Sequence, residues 1–170
     1  MTQCNMAFLR VSHEALQLYY SCLFLAVVGA GLIWAGTNPA YTECELIHHL
    51  KTSKAKTVIV EPDLVERISE AAKPCNIEER LILELDARLI PWSSHPRSWA
   101  SLLGHSEQDW VRMTDLDECK STIACRLYGS GTTGLPKAAS ISHYNLVAEH
   151  TLAHKCNPKP FEASFALHAR

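Results

Sequence analysis

The residues with the most chemistry to offer stand together at Tyr128-Gly-Ser-Gly-Thr-Thr-Gly-Leu-Pro-Lys137. Glycine and hydroxyl residues fill every position from Gly129 to Gly134. Glycine admits positive φ and a close backbone approach to a ligand. Consecutive N–H groups in such a turn form an anion-binding concavity. Ser130, Thr132 and Thr133 add hydroxyl donors, and Lys137 adds a point charge suited to phosphate. Ser130, Gly131, Thr132, Thr133, Gly134 and Lys137 are therefore the candidate residues of a loop that wraps a polyphosphate. No catalytic or metal-ligating residue is assigned. The loop is not a Walker A loop, which needs Lys-Ser/Thr directly after its second glycine. Leu135 follows Gly134, Lys137 comes two positions late, and Ala138 stands where the magnesium-binding hydroxyl belongs.

Such a loop needs rigid elements on both sides. Residues 123–128 are read as a strand that delivers it, and 138–142 as a strand that returns from it. Upstream, Met6–Val11 alternates as a strand does, and Ser12 stands as a cap for a helix from His13. Nearly every residue from Ala15 to Val28 is apolar, which suits a helix covered on every side. Gly29-Ala-Gly31 ends it, and strands are expected at 32–35, 57–60 and 81–85. Between them, Thr42 and Glu45 form a capping box for a helix to about Lys51. Glu61-Pro62-Asp63 opens another, with Val65, Ile68 and Ala72 on its apolar face. Pro91–Arg97 reads as a loop, Ser98 as the cap of a short helix to Leu103, and the acidic run Glu107–Glu118 as an exposed connection. A last helix starts at Ser142 or Asn145 and is interrupted at Asn157-Pro-Lys-Pro160. Strands alternating with helices make this an α/β protein with a mainly parallel sheet flanked by helices.

Composition narrows the partners. With 170 residues, 47% hydrophobic and 20% charged, the chain suits one globular domain. A net charge of −2 without a basic block leaves no electrostatic footprint for nucleic acid. Seven cysteines, odd in number and without C-x₂-C spacing, argue against a disulfide framework or structural zinc and favour reduced thiols. His48-His49 reads as the surface of a helix. The start carries no secretory signal, and the terminal His-Ala-Arg is not a peroxisomal Ser-Lys-Leu address. The apolar run Tyr19–Trp34 is shorter than the ~20 residues of a spanning helix. A buried helix is the favoured reading, and membrane association through residues 19–34 is the alternative.

The loop, continued through Ser142-His143 and Asn145, resembles the phosphate-binding signature of the adenylate-forming (AMP-dependent synthetase/ligase) superfamily. Gly129 departs from the usual Ser or Thr and Ala138 from the usual Gly. Phe24–Gly31, Thr37–Thr42, Glu45-Leu, Leu50–Lys56, Arg97-Ser-Trp and Asp109–Arg112 are similar to 4-coumarate–CoA-ligase-like acyl-CoA synthetases, the fungal ones above all, so the resemblance runs over about residues 6–168. It implies that residues 1–170 are a partial N-terminal domain without the C-terminal domain, and that the loop holds the phosphates of ATP. It also implies Mg²⁺, CoA and a small carboxylic acid as partners, and an intracellular setting, cytoplasmic or peroxisomal. The reaction implied joins the acid to the α-phosphate of ATP with loss of pyrophosphate, after which CoA thiol displaces AMP. The Tyr-Gly-x-Thr-Glu motif, the ribose-binding Asp and the catalytic lysine of the family are not found after Lys137. The expectations are thus an acid–CoA ligase fragment, inactive as this chain, or a truncated paralogue kept as a binding module.

Overall fold

A computed structural model describes residues 5–9, 14–85, 97–129 and 134–156 of the chain. Its centre is a six-stranded sheet in the order β4-β3-β1-β2-β5-β6. The strands are β1 (Asn5–Leu9), β2 (Ile33–Thr37), β3 (Ala55–Val60), β4 (Ile82–Glu84), β5 (Ile123–Gly129) and β6 (Lys137–Ser142). Every pairing is parallel except the last, where β5 and β6 run antiparallel. The strands expected at 32–35, 57–60, 81–85, 123–128 and 138–142 are all present within a residue or two. The loop expected at 91–97 falls outside the described residues except for Arg97, and the break at Asn157–Pro160 falls outside them altogether.

Helices cover both faces. β3 shows how the sequence divides them: Val58 and Val60 point to one side and Ile59 to the other, as the two-residue period of a strand requires. On the first side α2 (Glu43–Ser53) and α3 (Val65–Ala72) pack Leu46, Leu50, Val65, Ile68 and Ala71 onto Val58 and Val60. On the second, α1 (Glu14–Gly29) brings Leu23 and Val27 to Trp34, Ile59, Leu83 and Trp99. Trp34, 1% exposed, receives Tyr20 and Phe24 edge-on at centroid distances of 5.3 and 5.6 Å.

Local signals set the ends of these elements. The Thr42 hydroxyl accepts from the Glu45 N–H, and the Glu45 carboxylate accepts from the Thr42 N–H at 2.7 Å. The Thr42 N–H, together with the Thr42 hydroxyl donating to the same oxygen, also holds the Glu45 carboxyl below its ordinary pKa. Lys54 ends α2 in the left-handed conformation at φ 54°. Gly31 turns the chain after α1 at φ +74°. A Cβ on Gly29 would sit 2.4 Å from the Trp110 ring, so this glycine makes room for the 105–115 segment against the end of α1.

Some expectations are refined, and the reading of residues 19–34 as too short to span a membrane is kept. α1 is not covered all round: Leu23 and Val27 are buried, whereas Ser21, Cys22, Leu25 and Ala26 on the opposite side are exposed. No helix among the described residues is long and apolar enough to cross a membrane. The acidic connection ends in a helix, α4 (Leu116–Ser121), whose cap Asp115 accepts from the Asp117 and Glu118 N–H groups.

Candidate phosphate-binding site

β5 runs parallel to β2, so the loop that follows it emerges at the carboxyl ends of the parallel strands. α1 leaves β1 towards one face, and α2 leaves β2 towards the other. Open α/β sheets bind ligands at the carboxyl ends where adjacent connections diverge in this way. Gly129 pairs with Lys137 in the β5–β6 ladder, which closes the loop at its base. The Gly-rich stretch therefore joins two strands, unlike a Walker A loop, which leads into a helix.

Of the candidate residues, Gly134 and Lys137 lie among the described residues, and Ser130, Gly131, Thr132 and Thr133 lie outside them. Gly134 takes φ +150°, a conformation that side chains rarely adopt. Lys137 is exposed at the first position of β6. Gly129 has open space where a Cβ would stand, and its φ is not positive. Its departure from the hydroxyl residue of the resembled signature thus serves no backbone need. The trailing Ser142-His143-x-Asn145 is structural. Ser142 caps α5 (His143–Cys156), its hydroxyl accepting from the Asn145 N–H at 3.2 Å while Asn145 Oδ1 lies 2.6 Å from that hydroxyl.

The loop hairpin rests on the C-terminal half of α2. The Arg126 guanidinium donates to the Ser53 carbonyl at 2.7 Å, at the last residue of the helix. The Tyr128 hydroxyl lies 3.1 Å from Thr52 Oγ1. His48 Nε2–H donates to the Pro136 carbonyl at 3.2 Å. The Tyr128 ring lies against His49, with centroids 4.0 Å apart. The sequence reading missed this platform and placed His48-His49 at the surface. His49 is in fact fully buried. Leu46, His49, Leu50 and Ser53 form the buried face of α2, so its i, i+3, i+4, i+7 spacing carried the signal. His49 Nε2 lies 3.1 Å from the Gly36 carbonyl and Nδ1 lies 3.0 Å from the Thr37 hydroxyl. A neutral ring satisfies both when Nε2–H donates to the carbonyl and Nδ1 accepts the hydroxyl proton. Burial accordingly lowers its pKa to about 4, against the partly opposing Gly36 bond.

Among the described residues no cluster of three His, Cys, Asp or Glu side chains could hold a metal ion. Among the described residues, the arrangement offers an anion the exposed Lys137 beside the Gly134 turn.

Comparison with known proteins agrees with this arrangement. The family model described as AMP-binding enzyme matches residues 17–167. A phenylacetyl-CoA ligase of Aspergillus niger, epaB, is 41% identical over 157 residues, covering 91% of this chain and 29% of that protein. An acyl-CoA synthetase of Alternaria alternata, ACTT5, is 44% identical over 137 residues, covering 79% of this chain and 23% of that protein. The chain thus spans less than a third of the length of these curated relatives. The fold matches ATP-bound MatB from Rhodopseudomonas palustris at TM-score 0.65 and 23% identity, over 91% of this chain and 28% of that one. It also matches a luciferase-like enzyme of Zophobas morio at TM-score 0.69 and 19% identity, over 91% and 34%. The sheet, the strand-to-strand glycine loop and these relatives agree, and the chain belongs to the AMP-binding enzyme family, among relatives that are acyl-CoA ligases.

Proposed function

We propose that this chain carries the ATP phosphate-binding loop of an ATP-dependent carboxylic acid–CoA ligase, and that residues 1–170 are part of the nucleotide-binding N-terminal domain of such an enzyme. Ser130, Gly131, Thr132, Thr133, Gly134 and Lys137 then hold the phosphates. The observation that carries this reading is the position of the loop: a strand-to-strand connection at the carboxyl ends of parallel strands, with Lys137 exposed at its base. Transfer of the α-phosphate to a carboxylate shifts negative charge onto phosphate oxygens, which is where N–H, hydroxyl and ammonium donors act. Mg²⁺ would enter with the nucleotide, and CoA and the acid would be held by parts of the enzyme for which these residues offer no assignment. The names of relatives, a phenylacetyl-CoA ligase and a nicotinic acid–CoA ligase, support a small carboxylic acid as the substrate class.

A loop that holds phosphates still has to align the acid with the α-phosphate, and alignment is a large share of the barrier. We therefore expect no acid-dependent ATP–pyrophosphate exchange from the 170-residue chain. Exchange should appear when the remaining length of an acyl-CoA ligase relative is joined to it. In that longer protein Lys137→Ala should lower the rate by about 10²–10³-fold. Exchange by the chain alone, or indifference to Lys137→Ala in the longer protein, would overturn the assignment. Polyphosphate binding by both without exchange by either would favour a non-catalytic binding module.

A further inference from the structure

The two limbs of the glycine loop are not held alike. Arg126 and Tyr128 anchor the ascending limb, on β5, to the last turn of α2. Among the described contacts of the two limbs with α2, the bond from His48 to the Pro136 carbonyl reaches the descending limb, whereas the others engage Arg126 and Tyr128 on β5. Pro136 is buried, lies next to Lys137, and is two residues from Gly134. Proline has no N–H, so its carbonyl is the one backbone group through which this residue can be tied down. Gly134, at φ +150°, holds a sparsely populated conformation that persists only where its surroundings determine it. His48 is half-buried on α2, 88 residues away in sequence.

We propose that His48 is a positioning residue for the phosphate-binding loop: its Nε2–H bond to the Pro136 carbonyl fixes the descending limb, and with it the Gly134 turn and the start of β6 at Lys137. The proposal rests on the loop's reading as a phosphate site. The role of His48 is geometric, since a misplacement of about 1 Å can cost on the order of 10²-fold in a reaction that depends on alignment.

The test compares the full chain with His48→Ala and with His48→Gln, whose amide can donate from nearly the same point. Two readouts are needed: amide hydrogen exchange of residues 134–138, and binding of inorganic pyrophosphate. His48→Ala should speed exchange at 134–138 several-fold while the centre of β3 exchanges as before. It should also weaken pyrophosphate about three- to tenfold, the range of one ordinary hydrogen bond. His48→Gln should recover most of both. Unchanged exchange at 134–138 in His48→Ala overturns the proposal, as does a rise spread evenly over the sheet, which would mark a general structural role. Failure of the underlying reading looks different. If the wild-type chain ignores pyrophosphate while exchange responds locally, His48 still positions the loop and the phosphate assignment falls. If Lys137→Ala abolishes pyrophosphate binding while His48→Ala leaves exchange untouched, the assignment stands and the positioning role falls.

Discussion

The two ends of the sheet are built on different principles. At the β3–β4 end, α2 and α3 lay Leu46, Leu50, Ile68 and Ala71 on Val58 and Val60, all no more than 1% exposed. At the β5–β6 end, α5 has no buried residue, and Tyr144, Val147 and Leu152 stand exposed on it. Residues 137–140 of β6 are exposed as well. Apolar content alone does not separate the two, since α5 carries leucines and valine too. What differs is the stripe: Val65, Ile68 and Ala72 of α3 repeat at helical spacing, whereas in α5 only Leu146 is tucked against the core. The end that carries the candidate site is therefore held by a backbone ladder and by polar bonds to α2 rather than by a hydrophobic wall. A loop that must admit and release a ligand belongs at the less tightly packed end, since such elements are drawn from the low-stability part of a fold.

The largest expected effect tests that contrast directly. Ile68→Ala removes a fully buried side chain from the α2–α3 wall and should cost about 2–5 kcal/mol, the range for aliphatic truncation in a core. Val147→Ala, at a site 66% exposed, should stay within about 0.5 kcal/mol. Urea midpoints measured side by side decide it. Equal losses would mean that the β5–β6 end is packed as firmly as the wall.

The second effect concerns the join between the two ends, where His49 sits under the Tyr128 ring. Its pKa falls from 6.5 to about 4 on burial, so the unfolded chain takes up a proton that the folded chain refuses. Stability should thus be full above pH 6.5 and decline as pH falls from 6.5 towards 4. The gap corresponds to roughly 3 kcal/mol. His143, whose pKa is also lowered by burial, acts in the same direction. His49→Gln should flatten the decline in part, leaving the share of His143. Denaturant unfolding at steps between pH 7 and 4 provides the measurement. An unchanged slope in the variant would mean that His49 accepts a proton in the folded state.

Much of this was legible in the sequence because it is local. The capping pair Thr42 and Glu45, the Ser98 cap, the strand period of 57–60 and the glycine loop between two strands all declare themselves within a few residues. The platform under the loop did not. Arg126 meets Ser53 across 73 residues and His48 meets Pro136 across 88, and no periodicity encodes such pairings. His49 was misplaced for a different reason. An imidazole was taken as a surface group, although its position in the Leu46–Leu50–Ser53 stripe marked it as inward-facing. Which side of α1 is covered was not legible, because a uniformly apolar helix has no polar face to point outwards.

The smallest expected effect separates two glycines at the ends of one loop. Both have open space where a Cβ would go, so crowding cannot distinguish them. Their backbones do: Gly134 holds φ +150°, whereas Gly129 is not at positive φ. Gly134→Val should therefore cost about 1–3 kcal/mol, all of it backbone strain. Part of that cost should surface as a displaced turn and weaker pyrophosphate binding rather than as a lower melting temperature, because the exposed loop can yield without unfolding the sheet. Gly129→Ser should change stability by no more than about 0.5 kcal/mol. It also restores the hydroxyl that the resembled signature carries at this position, next to the donors proposed to grip phosphate. Calorimetric titration with pyrophosphate, alongside melting curves, reads both variants. If Gly129→Ser proved as harmful as Gly134→Val, the loop would be constrained at its entry as tightly as at its exit. The descending limb would then have no special claim as the part that must be held in place.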